Sequence, residues 1–377
     1  MTTTFIFAGG GSGGHIYPGL AVADELRRLA QPGCDVRCIF LCSDRALDAE
    51  ILSRSGYPFV RSPARPIIMR PRGLVRFLAG WGRSVRESRA LIREHSAHGI
   101  IHLVAMGGFV AAPAVQAARA EHAPVTMVNL DAIPGKANRW IARRVPRVIT
   151  AASVPERFSG PHWTQVPPIV RAASRPRADQ PACRAALGLD PHRPVLMITG
   201  GSQGIRTVNA FVTAFGSSEH GQKTLRDGRW QVIHQTGKNE DEKAALAWRT
   251  AGIDALVQPF TDRMGDWWGA ADLAVCTAGA GNVAEIWQSK TPAMLLPYPY
   301  HRDQHQKFNA AALQARGGVT VVTDHIDAAA NVRENGPELQ ALLADPARRA
   351  QMREGLASLG PADGAERIAR TLLDLSS

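Results

Sequence analysis

The chain has 377 residues, 45% hydrophobic and 20% charged, with 35 glycines and 25 prolines; this is ordinary globular composition, long enough for two domains and unlike a disordered or fibrous chain. Its 44 Lys+Arg against 33 Asp+Glu leave a formal charge of +11, which suits an anionic partner: a phosphate-rich substrate, an anionic lipid or a nucleic acid. The five cysteines form no C-x-x-C pair, which argues against a disulfide framework and a zinc site, and no run of about 18 apolar residues can span a bilayer.

The N-terminal residues lead straight into a glycine loop, without the charged start and apolar stretch of a signal peptide, so a cytoplasmic protein is expected. Short apolar segments at 4–8, 36–42, 100–104, 125–129 and 147–151 alternate with helical stretches, and a second series follows at 195–199, 231–234, 255–258, 273–276, 293–296 and 319–322. That alternation predicts an α/β protein of two doubly wound, Rossmann-like domains with parallel sheets. The five prolines of 159–181 mark the linker, giving domains at 1–165 and 166–355. The last segment, about 360–377, has helical spacing with no strand after it and is expected to pack back on the first domain.

The loop Gly9-Gly10-Gly11-Ser12-Gly13-Gly14-His15 follows the first strand, with Pro18 expected in the first turn of the next helix. Backbone amides freed by glycine, together with a helix start, suit a phosphate or diphosphate. The string also satisfies G-x-G-x-x-G, a weak dinucleotide signal, but the confirming acid about 20 residues on is missing. The second half opens alike, with Gly200-Gly201-Ser202-Gln203-Gly204 after its first strand. Farther on, Ala278-Gly279-Ala280-Gly281-Asn282-Val283-Ala284-Glu285 turns a strand into a helix. Its glutamate stands where a carboxylate can accept both hydroxyls of a ribose. In the polar run 297–309, Gln306 and Asn309 carry amides that both donate to and accept from sugar hydroxyls.

Gly10 to His15, Met106-Gly107-Gly108-Phe109, Gly200 to Gly204 and Asp303-Gln304-His305-Gln306-Lys307-Phe308-Asn309 resemble, in order and spacing, the motifs of the MurG family of inverting GT-B glycosyltransferases. The similarity covers nearly the whole chain. It implies two Rossmann-like domains facing a cleft and transfer of N-acetylglucosamine from UDP-N-acetylglucosamine to a lipid-linked muramoyl-pentapeptide. It places Ser202 and Gln203 at the donor diphosphate, Glu285 at the ribose, Gln306 and Asn309 at the sugar, and Arg171 and Thr261 on the uridine side. Ser12, Gly13 and Gly14 match the loop facing the reacting centre, and Ala280, Gly281, Asn282, Val283 and Ala284 complete the donor set. Acceptor or sugar candidates are Asp131, Asn138 and His305. Departures from the family pattern are Ser12 and Asn282, each for threonine, Val128-Asn129-Leu130-Asp131 for His-Glu-Gln-Asn, and Pro167-Pro168-Ile169-Val170-Arg171 for Gly-Asn-Pro-Val-Arg.

An inverting displacement needs a base for the acceptor hydroxyl and a sink for the leaving UDP. His15 is the expected base, because imidazole titrates near neutral pH, with Asp131 in reserve. No Asp-x-Asp triplet occurs, so neither a required metal nor a tightly bound cofactor is expected. Between residues 61 and 93 nine arginines face a single acid, Glu87, interleaved with apolar residues. Leu74, Arg76, Phe77, Leu78, Trp81 and Arg83 are the expected contacts with the anionic inner face of a membrane, where the protein would be peripheral. No nucleic-acid signature is evident. The competing readings are a UDP-sugar transferase for another glycolipid, a nicotinamide-dependent oxidoreductase, and a non-catalytic membrane-docked protein.

Overall fold

A computed structural model describes residues 2–11, 13–67, 70–201, 205–300 and 304–375. The chain forms two units, one of residues 1–171 and 363–377 and the other of residues 172–362.

The first unit holds seven parallel strands: β1 (Thr2–Gly9), β2 (Asp35–Ser43), β3 (Phe59–Ser62), β4 (Gly99–Gly107), β5 (Val125–Asn129), β6 (Arg147–Thr150) and β7 (Trp163–Gln165). Their spatial order is β3-β2-β1-β4-β5-β6-β7. Helices cover both faces of such a sheet, so its central strands are apolar on both sides. In β1, residues 4–9 are all buried. The edge strands β3 and β7 were not expected from the sequence: each has one neighbour, and β7 has no buried residue. The proline-rich stretch therefore first adds an edge strand, and the chain changes unit only after Arg171.

The helices of this unit include α1 (Gly13–Leu29), α2 (Ala46–Ser55), α3 (Pro71–Ser96), α4 (Gly108–Ala120) and α5 (Lys136–Ala142). The first starts five residues ahead of Pro18 rather than at it. Gly13 and Gly14 themselves take up helical conformation, and the proline removes one interior hydrogen bond. A terminal helix, Gly364–Asp374, buries Ile368, Ala369 and Leu372 and packs along α1. Arg28 of α1 pairs with Glu366 at 3.1 Å, and the Gly364 amide donates to the Pro168 carbonyl. Cys38 and Cys42 are buried in β2, and burial pushes both thiols up to about 12, so neither is a reactive thiolate at neutral pH.

The second unit has six parallel strands, β8 (Val195–Thr199), β9 (Gln231–Gln235), β10 (Ala255–Gln258), β11 (Leu273–Cys276), β12 (Ala293–Leu295) and β13 (Val319–Val321), in the order β10-β9-β8-β11-β12-β13. Alternation along β8 splits its residues between two cores. Leu196 and Ile198 pack with Phe211, Phe215 and Trp248, and Val195 and Met197 with Trp267, Trp268 and Ile286. Both doubly wound units therefore present the carboxyl ends of their strands as the natural ligand crevice.

Candidate functional site

In the first unit the chain leaves β1 through Gly10 and Gly11, the latter at φ +90°, a left-handed conformation that favours glycine. The Gly11 amide donates to Asp48 Oδ2 at 2.7 Å, and the same oxygen accepts from the Ser43 amide and hydroxyl at 3.1 and 2.6 Å. One amide of the loop is thus already engaged by a protein carboxylate, a correction to a loop of free amides. Ser12 lies outside the described residues, while Gly13 and Gly14 open α1.

His15, half-buried in the first turn of α1, has Nδ1 3.0 Å from the Met106 carbonyl oxygen at the end of β4. A carbonyl only accepts, so Nδ1 carries the proton and Nε2 of the neutral ring presents a lone pair. Burial lowers the imidazole pKa below its ordinary value; the charge of Asp131, the Met106 carbonyl and the charge of Asp48 oppose that shift without cancelling it. Gly108, at φ +77°, lies against the Nε2 edge: a Cβ there would stand 3.3 Å from Nε2 and 3.2 Å from the Gly10 carbonyl oxygen.

Behind this turn runs a buried amide chain. The Gly108 amide donates to Asn138 Oδ1, Asn138 Nδ2 to Asn129 Oδ1, and Asn129 Nδ2 to the Asp131 carbonyl and to Thr150 Oγ1. The side chain of Asn138, expected toward acceptor or sugar, therefore holds the Gly107–Gly108 turn. Arg171, the last residue of this unit, lays its guanidinium 4.8 Å from the Tyr17 ring centroid. The rest of the expected donor set, apart from Ser12, Gly13 and Gly14, belongs to the second unit.

There, Ser202 and Gln203 lie outside the described residues, and Thr199 Oγ1 at the end of β8 accepts from the Gly201 amide. After β11 the chain turns at Gly279 into the helix Ala280–Ser289. Glu285, in its second turn, accepts from Ser174 Oγ at 2.8 Å on one oxygen and from Trp268 Nε1 at 2.9 Å on the other. These two donors fix the plane of the carboxylate. Asn282 is buried and donates to the carbonyl and hydroxyl of Thr277, and Val283 and Ala284 are also buried, whereas among the described residues nothing lies within 4 Å of a Cβ placed on Gly281. Gln306 Oε1 accepts from the Tyr298 amide at 2.8 Å, and Asn309 Nδ2 donates to the Ala278 carbonyl. A Cβ on Gly279 would lie 3.9 Å from Gln306 Nε2. Glu285, the loop at 278–281, Gln306 and Asn309 are thereby brought to one end of the sheet. His305 is half-buried beside them in the chain, and Thr261, after β10, accepts from the Arg263 amide.

Asp48, Arg45, Asn129, Ser174 and Trp268 were missed in the sequence. Only Asp48 carries a local signal, a carboxylate five residues past the serine that ends β2. In the basic stretch, Leu74, Val75 and Leu78 of α3 are exposed at 46, 66 and 60%, with Arg76 and Arg83 exposed beside them and Phe77 half-buried. Trp81 faces inward, edge-on to Trp140 at 5.6 Å, and donates to Gln116.

Two Rossmann-like units with all-parallel sheets, each opening with a strand and a glycine loop, make up the GT-B fold. The N-terminal domain model of glycosyltransferase family 28 matches residues 5–150 and its C-terminal domain model residues 195–368. A relative from Leifsonia xyli subsp. xyli is 37% identical over 97% of each chain. One from Clavibacter sepedonicus is 35% identical over 99% of this chain and 96% of its own. Both are described as UDP-N-acetylglucosamine--N-acetylmuramyl-(pentapeptide) pyrophosphoryl-undecaprenol N-acetylglucosamine transferase. The solved structure of Acinetobacter baumannii MurG has the same fold, with a TM-score of 0.67 at 20% identity over 99% of each chain. The chain belongs to glycosyltransferase family 28.

Proposed function

We propose that this enzyme transfers N-acetylglucosamine from UDP-N-acetylglucosamine to a lipid-linked muramoyl-pentapeptide diphosphate, with inversion at the sugar. The chemistry named for relatives 37 and 35% identical along nearly their full length supports the substrates. The observation that carries the mechanism is the Nδ1 bond of His15 to the Met106 carbonyl, which leaves the neutral ring's lone pair on Nε2. In this reading the acceptor hydroxyl gives its proton to Nε2 as its oxygen attacks the anomeric carbon and the bond to UDP breaks. Glu285 accepts from the ribose, Gln306 and Asn309 contact the sugar, and the amides at 278–281 and the loop after β8 receive the leaving diphosphate.

The acceptor's lipid requires access to a membrane surface. The apolar residues exposed on α3 among arginines suit the anionic inner face of a cell membrane. Among the described residues no helix is long and apolar enough to cross one.

The test supplies radiolabelled UDP-N-acetylglucosamine and a detergent-solubilised muramoyl-pentapeptide diphosphate lipid. Formation of a β-linked disaccharide lipid, lost in His15→Ala, is expected. Transfer only to another glycolipid would replace the acceptor, and binding of NADH without UDP-sugar would overturn the reading.

A further inference from the structure

We propose that the first turn of α2 is a positioning clamp for the catalytic glycine loop, with Asp48 and Arg45 gripping the two backbone groups of Gly11 and so fixing where His15 stands. The role rests on the reading of His15 as the base.

A loop of consecutive glycines has no side chains with which to hold itself, and it loses more conformational freedom on ordering than any other sequence. What holds it must come from outside. Asp48 is fully buried, and its Oδ2 gathers the Gly11 amide with the amide and hydroxyl of Ser43. The loop after β1 is thereby tied to the end of β2. The fit leaves no slack, since a Cβ on Gly10 would stand 2.5 Å from that oxygen and 2.7 Å from the Ser43 amide. On the other side of Gly11, the Arg45 guanidinium donates to the carbonyl and lies 5.8 Å from the Phe109 ring centroid. Phe109, in the first turn of α4, closes the remaining side: a Cβ on Gly11 would be 2.6 Å from its ring. Burying a carboxylate is costly and adds little net stability. Its location here is explained by what it holds.

The clamp has an electrostatic consequence. The charged groups acting on His15 are Asp131, beyond β5, and Asp48 on α2; β4 offers the Met106 carbonyl and α4 only the backbone at Gly108. Arg45 is directed to the Gly11 carbonyl. Removing the charge of Asp48 while keeping its shape therefore makes His15 harder to protonate.

Asp48→Asn and Arg45→Ala, assayed in the full-length enzyme with UDP-N-acetylglucosamine and the solubilised lipid acceptor, test this. Both should lower kcat roughly 10- to 100-fold, as expected when a catalytic group is displaced by up to about 1 Å, with the donor KM unchanged. Asp48→Asn should also move the acid limb of the kcat/KM profile to lower pH, which a loss of folded protein would not do. Arg45 is exposed, so Arg45→Ala keeps the test open should Asp48→Asn fold poorly. Unchanged kcat in folded Arg45→Ala, or an unmoved acid limb in folded Asp48→Asn, would overturn the clamp. His15→Gln in parallel separates the two claims: full activity there removes the base assignment, whereas the clamp is judged on kcat at constant donor KM in the other two variants.

Discussion

Glu285→Gln is the sharpest perturbation of the donor site, because it changes the chemistry of one group whose surroundings are fixed. The carboxylate receives Ser174 Oγ–H on one oxygen and Trp268 Nε1–H on the other. Indole N–H only donates, whereas a serine hydroxyl can turn and accept. The substituted amide must therefore direct its oxygen to Trp268 and its NH2 to Ser174. One charge-assisted acceptor proposed for the ribose becomes a donor, and a hydrogen bond to a charged group contributes about 1.5–3 kcal/mol. UDP-N-acetylglucosamine should bind about 10- to 150-fold more weakly. Glu285→Ala removes the acceptor for both protein donors as well, so its affinity should fall further and its stability by about 1–3 kcal/mol, visible as a lowered Tm. Calorimetric titration with UDP and UDP-N-acetylglucosamine, with melting curves for both variants, measures each quantity. Unchanged UDP affinity in a folded Glu285→Gln would refute the ribose role.

The acid limb of kcat/KM should lie below pH 6.5, because burial lowers the His15 pKa and the base remains unprotonated down to that limit; a limb above 6.5 in the pH–rate profile contradicts the assignment. Gly108→Ala places a side chain at φ +77° against His15 Nε2, so a stability loss of about 1–2 kcal/mol with a kcat loss larger than the fraction unfolded is expected from urea melts and initial rates. Burial holds His102 and His234 neutral, with pKa values of about 4 and about 3. The unfolded chain binds those protons first, so stability is present above pH 6.5 and lost below it. Between pH 7.5 and pH 5 each should remove about 2 kcal/mol, measurable by urea denaturation. Leu78→Asp in the exposed apolar part of α3 should weaken flotation with anionic vesicles several-fold while leaving UDP binding unaltered.

The fold was legible because strands of a doubly covered parallel sheet need apolar residues on both faces. Residues 195–199 and 273–276 read as bounded apolar runs and form β8 and β11 at those limits. Phe59–Ser62 and Trp163–Gln165 gave no such signal, since an edge strand with one neighbour can be polar and short. The glycine loops announced themselves, for glycine alone tolerates a backbone like that of Gly11. Their supports did not: Asp48 reaches the loop across 37 residues and Ser174 reaches Glu285 across 111. Nothing local distinguishes Ser174 from an ordinary surface residue, and the only local trace of Asp48 is its spacing of five from Ser43. Asn138 shows a support of the same kind that the sequence offered only as a ligand contact: its amide accepts from the Gly108 amide and donates to Asn129.

The terminal helix Gly364–Asp374 belongs to the first unit although residues 172–362 precede it. Topologically, the second unit is an insertion within the first. During translation the face of α1 beside Arg28 therefore waits for its covering helix until the entire second unit has emerged from the ribosome. A C-terminal truncation or a bulky fusion at that end would strike the unit carrying His15, on the opposite side of the chain's numbering, while the second unit would already be complete.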